Sequence, residues 1–447
     1  MKVALWVTVL TLANVLADVA IGSPMMVLPQ LLDHFDTDQA AWLGSSAMLA
    51  GAIWSPLLAK CSDLYGKRRV LITGLLLACA GALVCLSAPN LWIFVLGRFF
   101  QGASLATIFL SVALILQICA PRTAMGVVGI LTSSSSVVGI LEPFLMQPVI
   151  DFMGFRGVFV VAAGLSATAA LGVRLAVPES PIRKAGRIDI GGALLLGGGL
   201  GATLAWLSGG AVALLAIGVT ALGFWAFLAV RVDEPLIDIG ALRRPVVLTL
   251  LAVVLAAGSF RSMLQLTSII AQVPPDLGLG YGLGNGESVA ALMAAPNLGI
   301  VIGGACAGWI AGRHGPALPL LGGVTLGATA TFGMLAGMSI LPIALACGAA
   351  IGIAAGAIGT SGYNLATSLE TPQRQGTTAG LVSVAMALGS VLFTFVGNEI
   401  LKVTRTPGDV PASSESGVQL YIAMAVVLFA AAAIPATSLL SSARRFL

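Results

Sequence analysis

The stretch Ser62-Asp63-Leu64-Tyr65-Gly66-Lys67-Arg68-Arg69 lies between two apolar runs, residues 41–60 and 70–88. Each run is long enough to cross a bilayer, which takes about 20 apolar residues in a helix. A turn that carries an aspartate and three consecutive cations cannot lie in hydrocarbon, so it must be a short connection at the membrane face. Consecutive cations also favour the cytoplasmic side. The stretch therefore predicts a polytopic membrane protein and an orientation for it.

Composition extends this prediction to the whole chain. The mean hydropathy is +1.03 and 9% of residues are charged, whereas a soluble domain carries about 25% charged residues. Fourteen apolar runs predict an all-helical membrane protein with fourteen transmembrane helices, although the seventh and eighth runs are also compatible with one re-entrant unit. The runs lie near residues 3–30, 39–60, 70–88, 90–118, 124–150, 157–177, 188–208, 210–231, 246–273, 288–311, 317–337, 339–367, 377–401 and 418–440.

The positions of the cations predict the topology. With the N-terminus inside the cell, seventeen of the 22 Lys and Arg residues fall on the inside, and Arg156, Lys402 and Arg405 fall outside. The remaining two, Arg98 and Arg261, lie within helices. Because Lys and Arg hold loops in the cytoplasm, both termini are expected there, in a multi-pass protein of the plasma membrane.

The chain divides into two similar halves around a linker. Residues 1–177 hold six predicted helices, residues 178–245 form a linker with two additional helices, and residues 246–447 hold six more. Ala311-Gly312-Arg313-His314-Gly315 is a degraded echo of the turn at 62–66, at the same second-to-third-helix position. Duplicated six-helix halves are typical of secondary transporters, which bind substrate near the membrane midplane.

Several other functions are excluded or disfavoured by what the sequence lacks. It contains no Gly-x-x-x-x-Gly-Lys-Ser/Thr loop, so this chain alone does not drive transport with ATP. The six cysteines are scattered without close pairs, and we expect neither a metal site nor a disulfide framework. The cations form no single patch of the kind that binds nucleic acid.

Four stretches resemble motifs of the major facilitator superfamily, most closely those of its fourteen-helix drug:proton antiporter branch. The family's loop between helices two and three reads Gly-x-Leu-x-Asp-Arg-x-Gly-Arg-Arg, which Asp63, Gly66, Lys67 and Arg68 match. Ala59 and Cys61 replace its first Gly and its Leu. The resemblance implies that the four matching residues form a cytoplasmic latch, and plain positive-inside charge is the alternative interpretation.

The second stretch, Gly97-Arg98-Phe99-Phe100-Gln101-Gly102, matches the family's Arg-x-x-Gln-Gly pattern in helix four. The resemblance links Arg98 to proton transfer. Arg98 lies about eight residues, or roughly 12 Å by helical rise, inside the predicted outer end of its helix. An ionisable group at that depth should face a partner or a water-filled cavity, and a purely structural ion pair is the alternative.

Two further stretches favour the fourteen-helix branch. Residues 372–380 and then Gly389 resemble its Pro-x-x-x-x-Gly-x-x-x-Gly loop and the helix that follows, where small residues allow close packing. Residues 187–196 resemble the start of its additional helices. The resemblance covers essentially the whole chain and implies a major-facilitator-type fold, with two six-helix bundles and two intervening helices.

The helix-five motif departs from the antiporter pattern Gly-Pro-x-x-Gly-Gly, because Glu142, Met146 and Gln147 replace its three glycines, although Pro143, Asp151 and Arg156 match. Glu142 lies at about the same estimated depth as Arg98 in the antiparallel helix four. A hydrogen-bonded Arg98–Glu142 pair would offset much of the burial cost of both groups. Proton exchange at Glu142 and contact with a cationic substrate are the alternatives.

Other polar residues lie inside predicted helices. Asp18 of helix one is close to the membrane midplane, where proton coupling, a substrate contact or structural hydrogen bonding would explain it. Arg261 either attracts an anionic group of the substrate or pairs with an acid across a central cavity. The remaining candidates either line the substrate cavity or bond neighbouring helices: Gln101, Gln265, Asn297, Tyr363 and Asn364.

Together these features predict a proton-coupled transporter that exports lipophilic or cationic small molecules by alternating access, with Asp18, Glu142 and Arg98 in proton coupling. It is not expected to be an enzyme, and it needs a proton gradient but no cofactor. We expect a monomer in the lipid bilayer, with a small-molecule substrate and no nucleic acid partner. A symporter or facilitator for one metabolite or lipid is the alternative, and a non-transporting membrane sensor or scaffold is a third possibility.

Overall fold

The computed structural model describes residues 2–37, 40–181, 186–207, 210–232, 235, 242–271, 273, 279–283, 286–404 and 414–443. Within these residues the chain is helical and contains no β-strand. The fifteen α-helices are α1 (Lys2–Gly22), α2 (Leu28–His34), α3 (Ala40–Tyr65), α4 (Lys67–Leu86), α5 (Leu91–Gln101), α6 (Ala106–Ile118), α7 (Pro121–Ala176), α8 (Ile190–Leu207), α9 (Val212–Ala229), α10 (Arg244–Ala271), α11 (Gly286–His314), α12 (Ala317–Gly337), α13 (Leu341–Ser368), α14 (Gln375–Val403) and α15 (Glu415–Ala443).

The all-helical membrane architecture is confirmed, whereas the number of spans stays a prediction. Among the described residues, eleven helical segments are long and apolar enough to cross a bilayer, and two shorter apolar helices cover Val3–Val19 and Ile190–Thr203. The region from 188 to 231 contains two helices, α8 and α9. Five cations used for the orientation lie outside the described residues: Arg183, Lys184, Arg405, Arg444 and Arg445.

Two of the predicted spans are interrupted, and two others are joined into one helix. The first changes from an α-helix to a 3₁₀ helix at Ser23–Val27. Gly22 weakens the α-helix at this point, and Pro24 has no N–H group to continue its hydrogen bonds. The fourth is interrupted by a 3₁₀ helix at Gly102–Leu105. The fifth and sixth form the 56-residue α7, whose direction changes at Gly154 with φ 60°.

The chain forms two compact units, which differ from the predicted division into residues 1–177, 178–245 and 246–447; that division stays a prediction. Unit 1 consists of Met1–Ala120, Leu141–Leu242 and Glu370–Val384. Unit 2 consists of Pro121–Ile140, Arg243–Leu369 and Ala385–Leu447. Two long helices are therefore divided between the units. The first part of α7 belongs to unit 2 and the rest to unit 1, whereas the first part of α14 belongs to unit 1 and the rest to unit 2.

Glycines allow the helices of each unit to pack with their backbones almost in contact. In unit 1, a methyl group on Gly81 of α4 would lie 2.5 Å from the carbonyl oxygen of Gly97 in α5. In unit 2, a methyl group on Gly258 of α10 would lie 2.7 Å from the carbonyl oxygen of Gly389 in α14. The core of unit 2 is otherwise filled by large apolar side chains, among them Met263, Leu266, Tyr421 and Ile422.

Candidate functional site

The turn at Ser62–Arg69 joins α3 to α4 through one glycine. Gly66 has φ +107°, a conformation that residues with a Cβ rarely adopt. Asp63 and Lys67 are four residues apart, and Asp63 Oδ1 accepts a hydrogen bond of 3.0 Å from Lys67 Nζ. The two side chains are 2% and 0% exposed, so this is a buried ion pair rather than a surface cluster of charge.

Asp63 also binds the beginning of α14. Its Oδ1 accepts from the N–H of Gly376 at 3.0 Å, and its Oδ2 accepts from the N–H of Thr377 at 2.8 Å and from the Thr377 hydroxyl at 2.7 Å. The first N–H groups of a helix have no partner within it, and a carboxylate there is stabilised by both the hydrogen bonds and the helix dipole. Asp63 therefore caps a helix that follows it by more than 300 residues.

A second acid, Glu179, caps α4 in the same way. Its carboxylate accepts from the N–H groups of Arg68 at 3.0 Å and Arg69 at 3.2 Å, and both guanidinium groups lie within 4 Å. Because the N-cap residue Gly66 has no side chain, the first turn of α4 needs an acceptor from elsewhere in the chain. Glu179 is not among the predicted site residues, because no sequence motif marks it.

The corresponding turn of unit 2, residues 311–315, also contains a glycine with positive φ, but it has no acid in place of Asp63. Gly315 has φ +83°, and Arg313 lies 3.7 Å from the ring centroid of Trp309 instead of pairing with a carboxylate. The end of α11 packs directly on the beginning of α7, where a methyl group on Gly312 would lie 3.0 Å from the carbonyl oxygen of Arg122. This contact depends on small residues rather than on charge.

Arg98 is buried where α4 crosses α5, with 1% of its surface exposed. Its Nη1 donates to Gln101 Oε1 at 2.9 Å, and the Cys85 thiol lies 3.8 Å from the same oxygen. The 3₁₀ helix begins directly after Gln101. Side chains bind the carbonyl groups beside this interruption: Trp54 Nε1 donates to Phe99 O at 2.9 Å, and Ser104 Oγ to Gln101 O at 2.9 Å.

Glu142 has a partner different from the expected Arg98. Its Oε1 lies 2.6 Å from the hydroxyl of Ser23, at the point where α1 gives way to the 3₁₀ helix. The Ser23 hydroxyl also lies 2.8 Å from the carbonyl oxygen of Val19. The change of winding after Gly22 brings Ser23 to α7, and no spacing rule in the sequence revealed this. Asp18 is half-buried on the same helix, five residues before Ser23.

The predicted cavity residues of unit 2 fall into two groups. Tyr363 and Asn364 are buried in α13, and Asn364 Nδ2 donates to Met125 O at 3.2 Å, which is a bond between neighbouring helices. Gln265 is half-buried in α10 and donates from Nε2 to Oδ1 of Asn398 at 3.0 Å. Asn398 was not predicted as a site residue, because an amide near the end of a predicted helix is common and does not indicate a functional role.

Arg261 and Asn297 complete the predicted set. Arg261 is exposed, and it forms no hydrogen bond or ion pair with any residue that the structure describes. Asn297 is half-buried in α11, beside Gly139 of α7. Whether any of these residues contacts substrate stays a prediction.

Comparison with known proteins gives a family match over most of the chain. Residues 10–394 match the Major Facilitator Superfamily. A lincomycin resistance protein of Streptomyces lincolnensis is 33% identical over 42% of this chain and 40% of its own length. A uridine/deoxyuridine transporter of Lactococcus lactis is 26% identical over 66% of this chain and 64% of its own length. The chain thus spans less than two thirds of these two relatives.

Two further comparisons cover nearly the whole chain. A multidrug resistance protein B homolog of Mycobacterium tuberculosis is 28% identical over 92% of this chain and 79% of its own length. The solved structure of the proton:xylose symporter XylE matches with a TM-score of 0.65 and 16% identity, over 96% of this chain and 94% of that one. At this identity the structural likeness shows the fold alone.

Proposed function

Because the chain belongs to the major facilitator superfamily, a family of transporters rather than enzymes, we propose that it is a proton-coupled secondary transporter that exports lipophilic or cationic small molecules by alternating access. The support from the comparisons is that two relatives carry names that refer to lincomycin or multidrug resistance. We place it in the plasma membrane as a monomer, with fourteen helices and both termini in the cytoplasm. The proton gradient would supply the energy, with no cofactor.

The contact between Glu142 and Ser23 carries the proposal of proton coupling. A hydroxyl group has one proton, so Ser23 cannot donate to Glu142 and to Val19 O at the same time, although it lies within bonding distance of both. When Glu142 is protonated, it donates to Ser23 and Ser23 donates to Val19. When Glu142 is ionised, Ser23 must donate to the carboxylate, and the Val19 carbonyl loses this bond.

The protonation state of Glu142 therefore alters a hydrogen bond at the end of α1, where the helix changes its winding. Such a difference in contacts is what allows a proton to stabilise one conformation over another. Asp18 on the same helix and the buried Arg98 are the other groups that we assign to proton coupling. The hydrogen bonds between Asp63 and α14 would serve as the cytoplasmic latch, made in one state and released in the other.

Transport into proteoliposomes tests this function. We expect ethidium, lincomycin or another lipophilic probe to accumulate in vesicles with an acidic lumen, and an ionophore that dissipates the pH gradient to abolish accumulation. Glu142→Gln and Asp18→Asn should remove the dependence on pH. Glu415→Gln is the matched control, because Glu415 is an exposed acid whose only side-chain partner among the described residues is Gln419 of its own helix. Unchanged pH dependence in both E142Q and D18N would refute the assignment.

Symport or facilitated transport of one metabolite is the second candidate. The loss of the antiporter glycines at 142, 146 and 147 favours it, since Met146 is buried and Gln147 donates to Asp151 at 2.9 Å on the helix surface. The uridine/deoxyuridine transporter among the relatives also favours it. Accumulation driven by an acidic exterior would indicate symport, and flux without any response to pH would indicate a facilitator. A protein that binds ligands but moves none of them would fit a sensor or scaffold.

A further inference from the structure

Arg261 has an unusual position for a cation. It is the eighteenth residue of the 28-residue α10, so by helical rise it lies about 15 Å from the C-terminal end of the helix and about 25 Å from the N-terminal end. Its side chain is exposed and forms no ion pair or hydrogen bond among the described residues. A guanidinium group in hydrocarbon is unfavourable by at least about 2.5 kcal/mol, so the exposed surface of Arg261 must border a water-filled space.

A pair of amide side chains accompanies this cation. Gln265 lies one helical turn after Arg261, on the same face of α10, and its Nε2 donates to Asn398 Oδ1 at 3.0 Å. This bond uses one donor and one acceptor. Because each side-chain amide has both kinds of group, Gln265 Oε1 and Asn398 Nδ2 remain available to a ligand.

An apolar depression adjoins the polar face. Phe260, Met263 and Leu264 of α10 line it together with Leu292 and Pro296 of α11 and Ile351 of α13. Since successive helical residues are 100° apart, Leu264 lies only about 60° around α10 from Arg261. One side of the helix therefore offers a cation with amides, and the adjacent side offers an apolar surface.

We propose that this part of unit 2 binds lipophilic molecules that carry an anionic group. Arg261 would bind the anion, the Gln265–Asn398 pair would bond a neighbouring polar atom, and the depression would hold the apolar part. Because Arg261 forms no ion pair among the described residues, its guanidinium group repels a cation and attracts an anion. This inference rests on the proposed function and narrows it, from lipophilic or cationic substrates to lipophilic anions.

Three probes that share one apolar group test the charge preference: 4-phenylbutanesulfonate, 4-phenylbutanol and (4-phenylbutyl)trimethylammonium. Binding is measured on the purified full-length protein in lipid nanodiscs. We expect the sulfonate to bind most tightly. Arg261→Gln should weaken sulfonate binding by about 10- to 100-fold, the effect of one hydrogen bond to a charged group, and leave the alcohol unchanged.

Two variants control for folding and for general charge. Arg261→Lys keeps the charge and should retain part of the affinity for the sulfonate. Arg313→Gln removes an arginine of the same unit that stacks on Trp309, and it should leave all three affinities unchanged. Equal affinity for sulfonate and alcohol, or sulfonate binding that R261Q does not weaken, would overturn the inference.

Transport separates this inference from the proposed function. If ethidium accumulates in response to the pH gradient while the sulfonate neither binds nor accumulates, proton-coupled export stands and the anion site is wrong. If the sulfonate binds in an Arg261-dependent manner but no probe responds to the gradient, the anion site stands and proton coupling is wrong.

Discussion

Replacing Asp63 by asparagine should destabilise the protein more than the loss of any other single acid. Its Oδ1 accepts from Lys67 and Gly376, and its Oδ2 accepts twice from Thr377. Asparagine keeps one of these oxygens and places an NH₂ group against donors at the other, so two bonds to a charged acceptor are lost. At about 1.5 kcal/mol or more for each bond, the loss reaches about 3 kcal/mol. The positive charge of the buried Lys67 is also left uncompensated, which raises the expected loss to about 3–5 kcal/mol.

Equilibrium unfolding of the purified protein in mixed micelles measures this effect. Lys67→Met should cost less, about 1.5 kcal/mol, because Asp63 keeps its three donors in α14. The double variant D63N/K67M removes both buried charges and should be no less stable than D63N alone. Asp151→Asn is the control, since the only side-chain bond of this exposed acid within the described part of the chain is to Gln147, and the substitution should change stability by less than about 0.5 kcal/mol. A loss below about 1 kcal/mol in D63N would refute the argument for a buried, helix-capping ion pair.

Three smaller effects follow from the same neighbourhood and from the interruption in the fourth span. Gly376→Ala would place a methyl group 2.5 Å from Oδ1 of Asp63 and should destabilise the protein by about 1–3 kcal/mol. Gly322→Ala is its control: the space around Gly322 is open, so this substitution should stabilise the protein by about 0.5–1 kcal/mol. Glu179→Gln should lower the free energy of unfolding by about 1 kcal/mol, since it weakens the cap of α4. Trp54→Phe removes the donor to a backbone carbonyl inside the membrane and should cost about 1 kcal/mol. Denaturant titration checks all three, and an unchanged midpoint in any variant contradicts the contact concerned.

The fold could be predicted from the sequence largely because membrane helices have only local requirements. Each of the fourteen apolar runs contains a helix, and the predicted turn at Asp63–Arg69 is the junction between α3 and α4. The interruptions were harder to predict. Gly22 and Pro24 marked the first one, but nothing in Gly102–Leu105 distinguishes a 3₁₀ helix from small residues packed against α3.

The partners of the polar residues could not be predicted, because they depend on contacts between segments far apart in the chain. Similar estimated depths made Arg98 the expected partner of Glu142, yet Ser23 takes this place because helical depth does not fix the direction of a side chain. Asp63 was identified from its motif, whereas Glu179 has no motif and is recognisable only once the bare N-terminus of α4 is seen.

Proton movement that accompanies substrate movement is the sharpest test of proton-coupled export. Proteoliposomes with a pH-sensitive dye trapped in an acidic lumen are given ethidium or 4-phenylbutanesulfonate, each in a separate experiment. We expect the lumen to become more alkaline as any transported probe enters with the wild-type protein and with E415Q, whereas E142Q should move no protons. A probe that enters without any change in lumenal pH, or an E142Q variant that exchanges protons like the wild type, would contradict this expectation.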